Sequence, residues 1–268
     1  MLTDRPDWCI SRQRKWGVPI TMLINKKTGE PHSNSSIIFS RVVKLVEEHG
    51  IEKWFDINIE ELIDNPEDYE KVTDTLDVWF DSGSSHAAVL EKKHELEFPA
   101  DLYLEGSDQH RGWFQSSLLT SVAINDSVPY KSAMTHGFTV DAKGNKMSKS
   151  KGNVIAPQKI IDRFGSDILR LWVASTDCSS EMNVSEEILN RTSDKYRKIR
   201  NTIRFLLSNI SDYDPEKFSQ DSITVELDKW IIKKAIATQK EVIKHYEQYN
   251  FHLLTQVIHG FCVNELGS

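Results

Sequence analysis

The chain has 268 residues, of which 39% are hydrophobic and 27% are charged, and its formal net charge is −7. These values exclude a disordered chain and a membrane-embedded one. They also argue against a nucleic-acid binder that relies on bulk positive charge, although a local basic face could still hold a nucleic acid. The length fits one large domain or two ordinary ones, and we favour two.

The first seventy residues predict a small mixed α/β region. Residues 20–24 are apolar and strand-like, and residues 25–35 have turn chemistry. Residues 36–50 place valines near one helical face, and Gly50 suits the residue after a helix C-terminus, so a helix is predicted there. Residues 60–69 predict an acidic, helical surface segment.

The middle of the chain predicts a strand, helix and strand in succession. Residues 74–81 alternate apolar and polar side chains and lead into small residues, as a strand entering a functional loop would. Residues 101–104 predict a strand, 111–124 an amphipathic helix and 133–140 a further strand. Such βαβ units build parallel sheets whose ligands bind beyond the strand C-terminal ends. Residues 105–109 and 136–137 are therefore expected at the binding edge.

A short basic segment, KMSKS at residues 146–150, follows the last of these strands. Lys146 and Lys149 lie three residues apart among hydroxyl-bearing and glycine residues, so they could form a flexible clamp for a polyphosphate. A solvated, lysine-rich loop is the better interpretation of an isolated KxxK pattern. Because the segment follows a strand at the predicted ligand-binding edge of the sheet, the polyphosphate clamp is favoured here.

Beyond Pro157 the chain is almost entirely helical in pattern. A helix is predicted at 158–175 with Gly165 interrupting it, and Ser185 is predicted to cap a helix whose apolar residues recur every seven positions up to Ile210. Residues 212–222 form a polar linker, and 227–266 carry a long helical pattern. We therefore predict one α/β domain at residues 1–176 and an all-α bundle at 177–268.

Three widely spaced cysteines, Cys9, Cys178 and Cys262, form no CxxC pair. They predict reduced thiols in a cytoplasmic protein rather than a disulfide framework or a zinc site. No segment has the length and apolar content of a signal peptide or a membrane span. The chain begins within a charged segment and stops inside a predicted helix, so we expect a fragment.

Four segments occur in one order and spacing: WCISRQ at 8–13, DVWFDSG at 77–83, EGSDQHRGWF at 105–114 and KMSKS at 146–150. Together they resemble the second half of bacterial-type isoleucyl-tRNA synthetases, which are class I aminoacyl-tRNA synthetases. The chain departs from that family in lacking a HIGH signature, an editing domain and a C-terminal zinc-binding region. The resemblance implies the KMSKS half of a Rossmann-like catalytic domain with parallel strands, followed by the start of an anticodon-binding helical bundle.

The resemblance implies a ligase that uses ATP with Mg²⁺ to convert L-isoleucine to isoleucyl-adenylate and then transfers isoleucine to isoleucine tRNA. The isolated chain is expected to be inactive because residues for half of the ATP site are missing. We expect a monomer with no membrane contact and no protein-bound zinc in this segment. Two alternatives stay open, namely a valyl or leucyl relative and a non-catalytic tRNA-binding module. A P-loop hydrolase is excluded because no GxxxxGK[ST] run exists.

The resemblance also assigns roles to particular residues. Lys146 and Lys149 are expected to be catalytic, since activation needs cationic stabilisation of the phosphates. The predicted adenylate-binding and isoleucine-binding residues are Glu105, Gly106, Asp108, Gln109, Trp79 and Trp113. The predicted ATP-binding residues are His136, Gly137, Met147 and Lys149, and no metal ligands are predicted.

Each of these assignments has a plainer alternative. The two tryptophans could be core residues, the two acidic residues could belong to a solvated loop, and His136 could be a structural hydrogen-bonding residue. The basic residues at 191–204 could be a solvated helix face or, as in the resembled family, a surface that binds tRNA phosphates.

Overall fold

The computed structural model describes residues 3–217 and 223–267, so the last residues of the linker predicted at 212–222 lie outside the described residues. The chain divides into two compact units. The first unit contains Met1–Tyr103 and Asp108–Met134, and the second contains Leu104–Ser107 and Thr135–Ser268. The domain boundary predicted near residue 176 separates the α/β domain from the helical bundle, which is a different division from that into these two units. It stays a prediction.

The beginning of the first unit is built from two antiparallel strand pairs and a helix. Strand β1 (Ser11–Arg12) pairs with β4 (Thr75–Leu76), and β2 (Leu23–Asn25) pairs with β3 (Tyr69–Lys71). The predicted helix is confirmed as α1 (Ser35–His49), and the short α2 (Lys53–Asp56) follows it. The acidic segment predicted as helical contains only two 3₁₀ turns, Ile59–Glu61 and Pro66–Asp68. The buried core of this region consists of Leu23, Ile38, Val42, Trp54, Ile57 and Leu62.

The strand predicted at 74–81 is wrong beyond Leu76, because helix α3 (Val78–Gly83) begins there. Asp77 occupies the N-cap position of α3, and its side chain accepts a hydrogen bond from the Trp79 backbone N–H. The alternating pattern of the sequence was therefore overridden by an N-cap and by packing of α3 on the next helix. A π-helical turn, His86–Leu90, follows where a loop was expected.

The predicted strand, helix and strand are confirmed as β5 (Ala100–Gly106), α4 (Trp113–Asn125) and β6 (Tyr130–His136), and β5 pairs with β6. The last strand was predicted to reach residue 140, but it breaks after His136 and resumes as β7 (Thr139–Val140). A Cβ at Gly137 would lie 2.0 Å from the Ser180 carbonyl oxygen, so the chain approaches that backbone too closely for a side chain. Strand β7 pairs in parallel with β8 (Met182–Asn183), which the sequence pattern did not predict.

The rest of the second unit is helical, as predicted. Helix α5 (Pro157–Phe164) and α6 (Ser166–Ser175) are separated at Gly165, and α7 (Glu186–Ser208) is capped by the Ser185 hydroxyl, which accepts from the Ile188 N–H. The single helical pattern predicted at 227–266 is divided into two α-helices, and a π-helical turn (Phe261–Glu265) follows the second. The two helices are α8 (Glu226–Glu247) and α9 (Phe251–Gly260), with Tyr249 at φ 56° between them. A positive φ of this kind cannot continue a right-handed helix.

The core of the second unit contains Ile160, Trp172, Met182, Val184 and Leu189. Helix α6 packs against α5, α7 and α9 around it. The seven-residue apolar seam predicted along α7 is buried only near its start, whereas Ile203, Leu206 and Ile210 are exposed. The packing partner predicted for the later part of that seam is therefore not found among residues 3–217 and 223–267.

Candidate functional site

The basic loop predicted to clamp a polyphosphate (residues 146–151) lies in the second unit and is delivered by β7. The turn before it closes with hydrogen bonds from the Asp141 N–H to the Asn145 carbonyl and from the Gly144 N–H to the Asp141 carbonyl, each of 2.9 Å. Gly144 has φ 78°, which this turn requires. The chain then returns beside β7, where Val140 and Lys146 form an antiparallel bridge. The fully buried Val140 anchors the base of the turn.

The side chains of the basic loop divide between the protein interior and the solvent. Met147 packs against the apolar cluster of the second unit, whereas Lys146 and Lys149 are exposed. A 3₁₀ turn over Lys149–Lys151 is capped by the Ser148 hydroxyl, which accepts from the Lys151 N–H at 3.3 Å. Met147 therefore has a structural contact of its own, and its predicted role at ATP stays a prediction.

The two predicted catalytic lysines have different surroundings. The Lys146 ammonium lies over the Phe138 ring, 3.4 Å from its centroid. This is a cation–π contact, in which the negative face of the ring attracts the charge. Within the described residues, no carboxylate oxygen lies within 4.0 Å of the ammonium of Lys146 or Lys149. Both charges are therefore uncompensated by acidic side chains and could attract an anion.

An aspartate and an asparagine that the sequence interpretation did not assign hold this loop. The Asp141 carboxylate accepts hydrogen bonds from the Lys143 and Asn145 backbone N–H groups, each at 2.9 Å, and from the Asn153 amide at 3.0 Å. These bonds, first that from Asn153, lower the pKa of Asp141 to about 2. The order Asp-x-x-Gly-Asn is a turn signal in the sequence, but a turn pattern alone did not reveal the distant partner Asn153.

Two other predicted ATP-binding residues, His136 and Gly137, lie at the break between β6 and β7 in the second unit. The His136 ring is half-buried, and its Nδ1 lies 2.9 Å from the Gly137 carbonyl oxygen, to which it can donate. The Gly137 N–H donates to the Cys178 carbonyl at 2.9 Å. Glu105, which is exposed, and Gly106, which is buried, lie at the end of β5 in the same unit.

The remaining predicted site residues, Asp108, Gln109, Trp79 and Trp113, lie in the first unit. The Gln109 side-chain oxygen accepts from the Trp113 backbone N–H at 2.9 Å, and so caps the start of α4. A Cβ on Gly112 would lie 2.6 Å from that oxygen and 3.0 Å from the Trp79 ring. The glycine therefore lets Gln109 and Trp79 come together beside the helix terminus.

The two tryptophans predicted to shape the isoleucine pocket are held in different ways. Trp113 stacks on Tyr103 with ring centroids 4.3 Å apart, and its indole N–H donates to the Ser82 carbonyl at 2.9 Å. Trp79 projects from α3 with 43% of its surface exposed, so part of this side chain is accessible to a ligand. The alternative that both are core residues describes Trp113 better than Trp79.

A buried carboxylate at the start of α3 was missed in the sequence. Asp77 is 5% exposed and accepts from the Trp8 indole at 3.0 Å and from the Arg12 guanidinium at 2.5 Å. Burial disfavours its ionisation, but the hydrogen bonds from Trp8 and Trp79, with the Arg12 charge, hold the pKa of Asp77 below its ordinary value. Asp77 thus joins the WCISRQ segment to α3. The sequence signal that could have identified this residue is an aspartate placed directly before a helix, where it can act as an N-cap.

Two absences concern the described residues only. No group of three or more histidine, cysteine, aspartate or glutamate side chains within 3–217 and 223–267 is arranged to hold a metal ion. No helix in that part of the chain has the length and apolar character needed to cross a membrane.

Comparison with known proteins gives matches along almost the whole chain. Residues 1–185 match the family model of class I tRNA synthetases (I, L, M and V), and residues 228–268 match the model of the anticodon-binding domain of tRNA ligase. The isoleucine–tRNA ligase of Alkalilimnicola ehrlichii is 56% identical over 269 residues, and that of Hahella chejuensis is 58% identical over 272 residues. Each match covers 100% of this chain and 29% of the relative, so the chain spans less than a third of these curated relatives.

A solved structure shares the fold. The crystal structure of the ternary complex of Agrobacterium radiobacter LeuRS, tRNA and LeuAMS matches with a TM-score of 0.75 and 20% identity. The match covers 96% of this chain and 36% of that chain. At this identity the likeness concerns the fold, and it agrees with the predicted α/β class followed by helices.

Proposed function

The chain belongs to the class I tRNA synthetase family, and from that premise we propose that it is a segment of an isoleucine–tRNA ligase. The observation that carries this proposal is the 56–58% identity to isoleucine–tRNA ligases along its whole length. The whole enzyme would activate L-isoleucine with ATP and transfer it to isoleucine tRNA. Residues 1–176 would belong to its catalytic domain and residues 177–268 to its anticodon-binding domain.

The basic loop would act on the phosphates of ATP. In the activation step a carboxylate attacks the α-phosphorus in line and pyrophosphate leaves, so negative charge accumulates on the departing oxygens. Lys146 and Lys149 are exposed and lack acidic partners in the described part of the chain, which suits them to neutralise that charge. Mg²⁺ would arrive with ATP, held mainly by phosphate oxygens and water.

The residues at the ends of β5 and β6 would bind the adenylate. Glu105 and Asp108 can accept hydrogen bonds from an α-ammonium group or a ribose hydroxyl, and Gly106 allows close approach of the backbone. His136 and Gly137 would contact ATP. Gln109 would act through its amide nitrogen, which lies 3.4 Å from the Asp108 carboxylate while the side-chain oxygen is bonded to Trp113.

The side chain of isoleucine would be received by the two tryptophans. Trp79 is partly exposed and Trp113 is stacked on Tyr103, so together they could form a shaped apolar slot.

The basic residues of α7 would contact tRNA. The side chains of these residues are exposed at Arg191, Arg197, Lys198, Arg200 and Arg204, and the first two are paired with acidic residues on the same helix. We expect a cytoplasmic monomer, and we expect the isolated chain to be inactive.

A segment exchange tests the proposal directly. The 29% of the Alkalilimnicola ehrlichii enzyme that aligns with this chain would be replaced by this chain, and ATP–pyrophosphate exchange would be measured with isoleucine, valine and leucine. Exchange that prefers isoleucine, with none from the isolated chain, supports the proposal. A preference for valine or leucine would indicate another member of the family.

The same chimaera separates the enzyme from a non-catalytic module. If it folds and binds isoleucine tRNA in a gel-shift assay but forms no adenylate, the segment is a tRNA-binding module and the catalytic proposal is wrong. The unmodified Alkalilimnicola ehrlichii enzyme serves as the positive control in both assays.

A further inference from the structure

We propose that Asp141 and Asn153 form a clasp that positions Lys146 and Lys149 for a polyphosphate. They are positioning residues, since they would act through the loop and not on the ligand. This inference deepens the proposed function and rests on it. No family match assigns a role to either residue.

The clasp closes the basic loop at both ends. Asp141 lies before the loop and Asn153 after it, and the Asn153 amide donates to Asp141 Oδ2 at 3.0 Å. The same amide lies 3.4 Å from the Lys146 carbonyl oxygen. A side-chain hydrogen bond between residues twelve positions apart therefore sets the distance between the two arms of the loop.

The other end of the Asn153 side chain reaches the middle of the loop. Its Oδ1 accepts from the Ser148 backbone N–H at 3.0 Å. Ser148 lies between the two catalytic lysines in the chain, so fixing its amide orients the backbone from which both side chains project. Met147 is anchored in the apolar cluster next to it. The backbone is thus fixed, while the exposed Lys146 ammonium rests over the Phe138 ring and the Lys149 side chain is exposed.

Asp141 makes the clasp rigid from the other side. Its Oδ1 accepts from two backbone N–H groups of the turn, at Lys143 and Asn145, and its Oδ2 accepts from Asn153. The Asn145 side-chain amide also lies 3.4 Å from each of the two oxygens. Both oxygens of the Asp141 carboxylate therefore accept hydrogen bonds, one from backbone N–H groups of the turn and the other from the side chain of Asn153. Hydrogen bonds to a charged acceptor are stronger than neutral ones, so an exposed loop can be ordered without burial.

The affinity for polyphosphate depends on the fraction of molecules whose loop has the conformation that binds it. If the loop adopts several backbone conformations, the apparent dissociation constant rises in inverse proportion to the fraction that is competent. Losing the clasp should therefore weaken polyphosphate binding while leaving both lysines present. A tenfold loss corresponds to about one competent loop in ten.

The first experiment measures binding of inorganic tripolyphosphate to the whole chain by calorimetry. Amide exchange at Ser148 is followed by NMR in the same samples. Asn153→Ala should weaken binding about tenfold and speed Ser148 exchange. Asn190→Ala is the control, because it removes an exposed asparagine of α7 in the same unit and leaves every bond of Asp141 and Asn153 in place. It should change neither quantity appreciably.

A double variant in which the two clasp side chains are swapped tests whether restoring the hydrogen bond between them also restores binding. In the double variant Asp141→Asn with Asn153→Asp, the new amide can donate to the new carboxylate, which can still accept from the Ser148 N–H. The net charge of the loop is unchanged. Each single change should weaken binding, and the double variant should recover most of it. A lysine loop that needs only its charge would instead bind more tightly in the single variant Asp141→Asn, because that change removes a negative charge beside the lysines.

The outcomes distinguish the two proposals. If the unaltered chain does not bind tripolyphosphate, the basic loop does not hold a polyphosphate by itself and the clasp proposal is overturned, whereas the proposed function is decided separately by the ATP–pyrophosphate exchange of the chimaera. If the unaltered chain binds and Asn153→Ala binds equally well, only the clasp proposal is overturned, whether or not Ser148 exchange changes. Failure of the double variant to bind better than the single variants also overturns it.

Discussion

The helix pair α3 and α4 and the basic loop hold their predicted site residues by opposite means. In the helix pair, Thr120 is buried and its hydroxyl donates to the Gly83 carbonyl, while the Trp113 indole donates to the Ser82 carbonyl. The basic loop has only Met147 in an apolar cluster, and its order comes from half-buried hydrogen bonds near the surface. Burial suits a pocket of fixed shape, whereas a loop whose backbone is held by hydrogen bonds leaves its long, exposed lysine side chains able to adjust to a ligand.

This contrast predicts that changes in the basic loop alter activity with little effect on stability. The largest effect is expected for Lys149→Ala in the chimaera. It should lower the rate of isoleucine-dependent ATP–pyrophosphate exchange by about 10²–10³-fold, because one preorganised charge at the leaving group is removed. The midpoint of thermal unfolding should stay unchanged. Lys143→Ala removes an equally exposed lysine from the preceding turn and should leave the exchange rate near that of the parent.

Changes at the start of α3 should instead alter stability. Asp77→Ala removes an N-cap and two side-chain hydrogen bonds, and leaves the Arg12 charge and the Trp8 indole without this partner. The free energy of unfolding of the chain should fall by about 2–4 kcal/mol. Denaturant titration measures it, with Asp74→Ala as a control, because Asp74 is joined to Gln13 by an exposed bond. An equal loss from both variants would contradict a special role for Asp77.

The pH dependence of this contribution has a definite sign. The pKa of Asp77 is lower in the folded chain than its ordinary value of 3.8, so its ionised form stabilises the fold above about pH 4. That stability is lost as the pH falls through the lower folded pKa. The difference in unfolding free energy between the parent chain and Asp77→Asn should therefore shrink as the pH is lowered from about 6 towards 3. A constant difference would show that charge does not contribute.

Close packing of the two helices gives a smaller expected effect. A Cβ at Gly83 would lie 2.9 Å from the Ser116 backbone carbon and 3.0 Å from its Oγ. Gly83→Val should therefore force α3 away from α4 and lower the unfolding free energy by about 1–3 kcal/mol. Ser82→Ala, at the neighbouring position, keeps the carbonyl that accepts from Trp113 and should cost less. Urea unfolding of both variants makes the comparison.

The smallest effect is expected at the ring beneath Lys146. Phe138→Leu removes a cation–π contact worth about 0.5–1 kcal/mol at an exposed site. Since the resting contact competes with the phosphates, its loss should tighten tripolyphosphate binding by about two- to fivefold. Phe138→Tyr keeps an aromatic face and should bind as the parent does. Weaker binding by Phe138→Leu would mean that the ring assists the bound state.

Much of the local structure could be predicted because it depends on neighbouring residues. The periodicity of α1, the Ser185 cap of α7 and the succession of β5, α4 and β6 are encoded within short windows. The four motifs also indicated the family that the comparisons show. The roles of the individual site residues rest on that resemblance and stay predictions.

What the sequence by itself determined was the family, the α/β class with a following helical region, and the elements whose signals are local. Only the tertiary structure decided where those signals fail. Asp77 converts an alternating segment into α3, the Ser180 carbonyl excludes a side chain at Gly137, and Asn153 reaches back to Asp141. In each case the deciding contact is made by packing or hydrogen bonding in the folded chain. The periodicity of apolar residues along the sequence carries no information about such contacts.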